Sequence, residues 1–353
     1  MKRVALSLAL VAGLASSAMA ADMATKAPPA APAPPPSPWD VAISAALMTD
    51  YNFRGITQSA HNPSTQAGFE PRYNFNSSWQ GYVGISGESI DFPNDAAAEI
   101  DFYGGIRPTF DKLALDFGFW YYWYPGGNCY GAAPAVAAPQ GRCSTPPAGA
   151  IVPNKNNPGL VGNGNVVKAN ESFYEWYAKA TYTISDQWAA GIQEWYSPSV
   201  SNTGATGWYT VGNLTYTAPS SWFPANSGLG GYISADLGYW ALGTSDVFYG
   251  GLPVAGLPNG AAAGAGQPNG TKYSSYWNWD AGFGWTYKAF TLDLRYYDTD
   301  LSKSQCNAFT SASNSSFATS NVTSQNTDGL GSNWCSAAYI AKLSFATNLS
   351  GLK

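Results

Sequence analysis

An all-β fold, a transmembrane antiparallel β-barrel of about twelve strands, is what this sequence predicts, and three observations predict it. Apolar and polar residues alternate at single-residue spacing along most of the chain after residue 38. The connections between alternating runs are short and long by turns. The composition is aromatic and poor in charge: 14 Trp, 23 Tyr and 16 Phe stand beside only 11% charged residues. Mean hydropathy is −0.18, so the apolar residues are interleaved rather than concentrated in helical spans.

The chain opens with Lys2 and Arg3, then an apolar run from Val4 to Ala18 ending in the small-x-small site Ala18-Met19-Ala20. Residues 1–20 are therefore expected to be a signal peptide cut before Ala21. Residues 21–38, with Ala-Pro-Pro-Ala-Ala-Pro-Ala-Pro-Pro-Pro-Ser-Pro from Ala27, form neither helix nor sheet and are expected to be a Pro/Ala-rich periplasmic spacer. The barrel is expected over residues 39–353.

The first alternating run sets Val41, Ile43, Ala45, Leu47, Tyr51 and Phe53 against Asp40, Ser44, Asp50, Asn52 and Arg54. It continues with Phe69/Tyr73 against Glu70/Arg72, Ile100/Phe102/Ile106 against Glu99/Asp101/Arg107, and Leu113 to Trp123 against Asp116. Later runs set Leu229 to Tyr239 against Asp236, Trp277 to Trp285 against Asp280, Phe290 to Tyr296 against Asp293/Arg295, and Tyr339 to Phe345 against Lys342. Less clean runs at 79–90, 172–184, 187–197 and 207–218 complete the count, the last two with no facing assigned. Ser77-Ser78, Asp111-Lys112, Ser185-Asp186 and Lys288-Ala289 mark short turns, and the longest loops fall near 125–170, 243–272 and 302–334. Trp277 and Tyr287, ten residues apart on one apolar face, would span roughly 25 Å at about 3.3 Å per residue and a tilt near 40°.

Composition also excludes function classes. The single histidine, His61, and four cysteines leave little for metal or imidazole catalysis, and no catalytic, cofactor-binding or metal-ligating residue is assigned. The formal charge of −5 becomes −7 when Lys2 and Arg3 leave, which argues against nucleic acid as a partner. His61 beside Ser59 and Ser64 suggests a hydrolase triad only weakly, because neither serine has a G-x-S-x-G setting.

The polar face carries the candidate lumen charges. The acids are Asp50, Glu70, Glu88, Glu99, Asp101, Asp116, Glu175, Asp236, Asp280 and Asp293; the bases are Arg54, Arg72, Arg107, Lys179, Arg295 and Lys342. Acids lead ten to six, which leans a pore toward cations unless the charges pair across the barrel and fill it. Trp120, Tyr122, Tyr124, Tyr232, Trp240, Tyr276 and Tyr297 share the inward phase, either as packing or as stacking surfaces for solutes. Cys129 with Cys143 and Cys306 with Cys335 are expected disulfides within two long loops, each contributing at most about 3 to 4 kcal/mol by loop entropy.

Thr49-Asp50-Tyr51-Asn52-Phe53-Arg54-Gly55-Ile56-Thr57-Gln58-Ser59 resembles the D-Y-x-F-R-G-I-S-Q-S start of the TorF-like porin family, also called Gcw_chp. Glu99 to Gly105, Tyr121 to Gly126, Phe173-Tyr174-Glu175 and Leu292 to Asp300 resemble its E-I-D-Y-Y-G-G, Y-Y-W-Y-P-G, F-Y-E and L-D-L-R-Y-x-D-T-D motifs in the same order. The resemblance implies an outer-membrane barrel with a channel and names no substrate. The chain departs from outer-membrane barrels in lacking a terminal aromatic after Leu352-Lys353.

The expected protein is thus a porin-like barrel of a Gram-negative outer membrane with both termini periplasmic, passing ions and small polar solutes passively. Its partners are the lipid bilayer and lipopolysaccharide, with a homo-oligomer left open. The rival readings are a structural barrel or surface-loop adhesin with a blocked lumen, and a hydrolase built in a barrel.

Overall fold

The computed structural model describes residues 38–127, 168–246, 272–310, 316–317 and 330–349. Twelve strands close into one barrel. They are β1 (Trp39–Met48), β2 (Ser64–Asn74), β3 (Trp79–Glu88), β4 (Glu99–Phe110), β5 (Leu113–Trp123), β6 (Phe173–Thr183), β7 (Trp188–Ser197), β8 (Gly207–Thr217), β9 (Leu229–Leu242), β10 (Tyr276–Tyr287), β11 (Phe290–Thr299) and β12 (Ala338–Asn348). Neighbours in sequence pair antiparallel, and β12 returns to β1 with Ala42 opposite Asn348 and Met48 opposite Lys342. Closure leaves no sheet edge, which is the condition for strands to cross hydrocarbon. Among the described residues no helix is long and apolar enough to cross a membrane. The expected residues 1–20 and 21–37 lie outside the described part.

The alternation resolves into two faces. Outward, Leu47, Phe69, Val83, Phe102, Ile192, Leu214, Ile233, Leu237 and Leu343 form an exposed aliphatic and phenyl belt. At the rim of the short turns it is bordered by Trp39, Trp79, Phe110, Trp188, Trp222 and Tyr287, and at the rim of the long loops by Trp123, Trp176, Trp208, Trp277 and Tyr339. Two aromatic girdles around an apolar band match the two interfaces of a bilayer. This arrangement, exposed apolar wall outside and polar side chains within, is the inverse of a soluble domain and makes the chain a transmembrane barrel.

The facing left open on β7 and β8 is now settled. Trp188 and Ile192 point out on β7 while Trp195 packs inward; on β8 Trp208 and Leu214 point out while Tyr209 and Val211 are buried. Glu194 consequently shares the outward phase with Ile192, where Thr210 Oγ1 donates to its Oε2 at 2.5 Å.

Two expectations about the chain path need correction. The first strand does not run on to Arg54: the β1–β12 ladder ends with Thr49 N–H on the Ala341 carbonyl at 3.0 Å, and the chain then leaves the wall. Residues 52–53 and 56–57 pair with each other as a small hairpin inside the barrel, so Tyr51 and Phe53 lie within it rather than on the lipid face. Period-two alternation continued because the segment is still extended; it belongs to a different ladder. Loop lengths also sort imperfectly, since residues 218–228 at the short-turn rim outrun residues 198–206 at the other.

The hairpin turns through Arg54 (φ 53°) and Gly55 (φ 83°), both left-handed, as a two-residue type I′ turn requires. Asn52 Oδ1 accepts the Gly55 N–H at 2.9 Å. A Cβ at position 55 would stand 2.2 Å from Thr299 Cγ2 and 3.0 Å from Asn278 Cβ, so β10 and β11 leave room for glycine alone. Gly55→Ala should lower unfolding stability by more than about 1 kcal/mol in denaturant titrations of the detergent-folded protein, through both φ and overlap.

Candidate functional site

Ionised and phenolic side chains of the inner wall, together with the first loop (49–63), form the candidate site. Asp50 organises that loop: its carboxylate accepts Thr57 Oγ1 and lies 2.9 Å from Ser59 Oγ and 2.8 Å from His61 Nδ1. Ser59 Oγ in turn accepts the Tyr51 N–H at 3.0 Å, so a carboxylate with two hydroxyls bends the chain back on itself. The hydrolase arrangement is not formed, because His61 Nε2 faces the Asn333 carbonyl at 3.1 Å and Ser64 Oγ donates to the Ser89 carbonyl. The loop instead docks on the last long loop (300–337), where the Thr57 N–H reaches the Trp334 carbonyl at 2.9 Å. There Cys306, on helix α1 (Lys303–Thr310), is disulfide-bonded to Cys335, as expected. The Cys129–Cys143 pair lies outside the described residues.

Arg54, at the hairpin tip, crosses the lumen to Glu175 on β6 in a bidentate pair, Nη1 to Oε1 at 2.9 Å and Nη2 to Oε2 at 2.6 Å. Both side chains are nearly fully buried. Its guanidinium carbon lies 4.6, 4.3 and 4.4 Å from the ring centres of Phe53, Tyr209 and Trp240. Tyr122 donates to Glu175 at 3.1 Å, and Tyr276 donates to the Arg54 carbonyl at 3.0 Å. Charge pairing, planar stacking and phenolic hydrogen bonds all favour arginine at this position. Glu175, Tyr209, Trp240 and Tyr276 lie toward the long-loop ends of their strands, so the hairpin occupies that mouth of the barrel.

Deeper in, Glu70 accepts Arg72 Nε at 2.6 Å and Arg107 Nη1 at 2.7 Å, and Arg107 Nε donates to Asp116 at 3.1 Å. Tyr82 donates to Asp116 at 2.5 Å and meets the Tyr177 hydroxyl, a contact across two intervening strands that only the inner face allows. Lys179 lies over the rings of Tyr177 and Trp195 at 4.4 and 4.6 Å. On the other side Asp236 stands opposite Asp280, and Arg295 pairs with Asp280 and Asp293, while Tyr232 donates to Asp293 at 2.6 Å. Lys342 reaches Gln66 Oε1 at 3.0 Å, and Tyr297 packs with Met48, Ala338 and Ile340.

Glu88, Glu99 and Asp101 form a third group near the long-loop mouth. Glu99 accepts Tyr51 at 2.6 Å and Tyr124 at 2.8 Å; Tyr124 lies just beyond β5, not in it. Trp120 stacks on Tyr103 with ring centres 4.0 Å apart. Among the described residues the four arginines of the wall and hairpin all make salt bridges, whereas none reaches Glu88, Glu99 or Asp101. Tyr51, Tyr82, Tyr177 and Trp195 were not among the sequence-derived candidates; the first was hidden by the strand overrun and the others by runs whose alternation is blurred.

Residues 32–141 match the family model described as "Bacterial protein of unknown function (Gcw_chp)", which bears out the resemblance over the first three motifs. The Phe173–Glu175 and Leu292–Asp300 motifs lie beyond the matched segment. No curated protein matches the sequence. Among solved structures, the NanC porin is 9% identical with TM-score 0.38, covering 86% of this chain and 98% of its own. A loop L8 deletion mutant of OmpT, an outer membrane protein of Vibrio cholerae, is 10% identical with TM-score 0.32 over 88% of this chain and 98% of its own. The beta domain of the Bordetella autotransporter BrkA is 12% identical with TM-score 0.33, again over 88% and 98%.

The Asp50 carboxylate, by its hydrogen bond and secondarily with the Asn333 carbonyl, holds the His61 imidazole above its ordinary pKa of 6.5, against the opposing effect of burial. A histidine whose folded pKa is raised stabilises the fold below its unfolded pKa and loses that contribution as pH rises through the folded value. Docking of the first loop on the last should therefore be tightest below about pH 6.5 and loosen above it. Imidazole C2–H chemical shifts should titrate above 6.5 in the wild type and return toward it in Asp50→Asn; an unshifted wild-type titration would contradict the latch.

Proposed function

We propose that this chain, whose residues 32–141 match the Gcw_chp family model, is a passive outer-membrane channel for small ions and polar solutes with a mild preference for cations. The observation that carries this reading is the charge inventory of the inner wall. Among the described residues each arginine is held in an ion pair, whereas Glu88, Glu99 and Asp101 near the mouth receive none. Surplus negative potential inside a low-dielectric wall concentrates cations and repels anions. The expected topology, with termini and short turns periplasmic and long loops outside, puts this acidic group at the cell exterior, where solutes enter.

The first-loop hairpin favours a second reading, the structural barrel with a blocked lumen, because Arg54 anchored to Glu175 fills part of the same mouth. Both readings meet in one experiment. Planar-bilayer recordings of the wild type should show small conductance steps, with reversal potentials in a salt gradient favouring cations and the preference fading toward molar salt, where the Debye length is about 3 Å. Glu175→Gln should raise the conductance step at least twofold by freeing the hairpin, and should lower stability by on the order of 3 kcal/mol, since it strands a buried guanidinium. Silence in both proteins would assign the structural reading; anion selectivity at low salt would overturn the lumen charge argument.

A further inference from the structure

Glu88 at the end of β3 stands directly opposite Glu99 at the start of β4, and Asp101, opposite Ser86, shares their face two positions along. Like charges directly opposite on a sheet repel. Here they are also withdrawn from water, with exposures of 3%, 2% and 3%. One carboxylate oxygen from each lies within 4.8 Å of the others. The nearest cation is Lys342, whose charge acts on Glu88 but whose Nζ hydrogen-bonds Gln66 Oε1, the Gln66 amide in turn donating to Glu88 Oε1 at 2.8 Å.

The hydrogen bonding around the three carboxylates is incomplete in a specific way. Both oxygens of Glu99 are held by phenols, and Asp101 Oδ2 by Ser86 at 3.1 Å. Glu88 Oε2 and Asp101 Oδ1 are buried and accept no hydrogen bond of good geometry, although Ser86 and the Trp120 indole N–H approach the two carboxylates. A buried carboxylate oxygen without a well-placed donor is costly, and two beside a third carboxylate are relieved either by protons or by a bound cation.

We propose that Glu88, Glu99 and Asp101 bind one hard divalent cation, of the Ca²⁺ class, in the β3–β4 hairpin. The donors are all carboxylate oxygens, which suit Ca²⁺ rather than the thiolate- and imidazole-seeking metals. Two oxygens on opposite sides of a Ca²⁺ at about 2.4 Å stand about 4.8 Å apart, so the cluster contracts little or not at all to close on the ion. Tyr51 and Tyr124 orient Glu99 as outer-shell donors, and through Tyr51 the ion would fasten the first loop to the wall. A bound ion cancels most of the charge that the channel reading places on these three acids, so the site stands apart from that reading and is measurable in a barrel that conducts nothing.

The test is calorimetric titration of CaCl₂ into full-length, EDTA-stripped protein folded in detergent, with Tb³⁺ luminescence sensitised by the neighbouring tyrosines as a second readout. One saturable Ca²⁺ per chain, displacing Tb³⁺, is expected. Glu88→Gln and Asp101→Asn should each weaken binding at least tenfold, and in EDTA both should melt no lower than wild type, because each removes a repulsion. No saturable binding to the wild type overturns the proposal by itself. Equal affinity in either folded variant also overturns it, by placing the ion on surface acids; a variant that melts lower in EDTA shows the cluster to be an uncharged hydrogen-bonded network instead.

Discussion

In hydrocarbon a backbone N–H or C=O has no water to bond, so every such group in the wall must find its partner within the protein. The pairing of β1 with β12 is the contact through which that condition is met all the way round. Once the ring is closed, each strand has one face toward lipid and one toward the interior, and alternation along the strand becomes a sorting rule. Phe102 goes out and Asp101 and Tyr103 in; Trp277 goes out and Tyr276 and Asn278 in. The polar interior is a consequence of closure, because hydrocarbon leaves charged side chains nowhere else to go. Glu194 and Asp298 share the outward phase, Glu194 partnered by Thr210 across the ladder and Asp298 by the Tyr296 hydroxyl on its own strand.

What the interior does with its charges follows from the number and length of its bases. Arg107 on β4 reaches Glu70 on β2 and Asp116 on β5, and Arg295 reaches Asp280 on β10 and Asp293 on its own strand, so each neutralises a local cluster and stiffens the wall. Arg54 differs because it comes from a loop. Its pair with Glu175 ties the first-loop hairpin to the far wall, and the surrounding Phe53, Tyr209 and Trp240 exclude water from that pair. A buried bidentate pair resists removal of either partner far more strongly than it adds net stability, which suits a position-fixing role. The same loop reaches Glu99 through Tyr51 and the last loop through His61 and Thr57. Three separate attachments therefore hold one short segment in the mouth, and the acidic group left without bases lies beside it.

The class of the fold, the strand number and most of the facing were legible in the residue order, because lipid outside and water inside impose a period of two that a single chain displays residue by residue. Asp101, Asp116, Asp280, Asp293 and Arg295 could be placed on the polar face for that reason, and the pairing of Cys306 with Cys335 followed from a shared loop. Where alternation stops meaning wall depends on contacts between distant residues. Residues 50–57 alternate as strands do, yet Thr57, Ser59 and His61 gather on Asp50 and fold the segment inward, and those contacts join residues whose spacing carries no periodic mark. Partner choice was equally hidden: Arg54 with Glu175 is a pairing across the lumen, and Glu88 with Glu99 depends on a hairpin register set by loop geometry. Facing is a local property of a strand, whereas distance across a barrel depends on closure, and closure depends on all twelve strands at once.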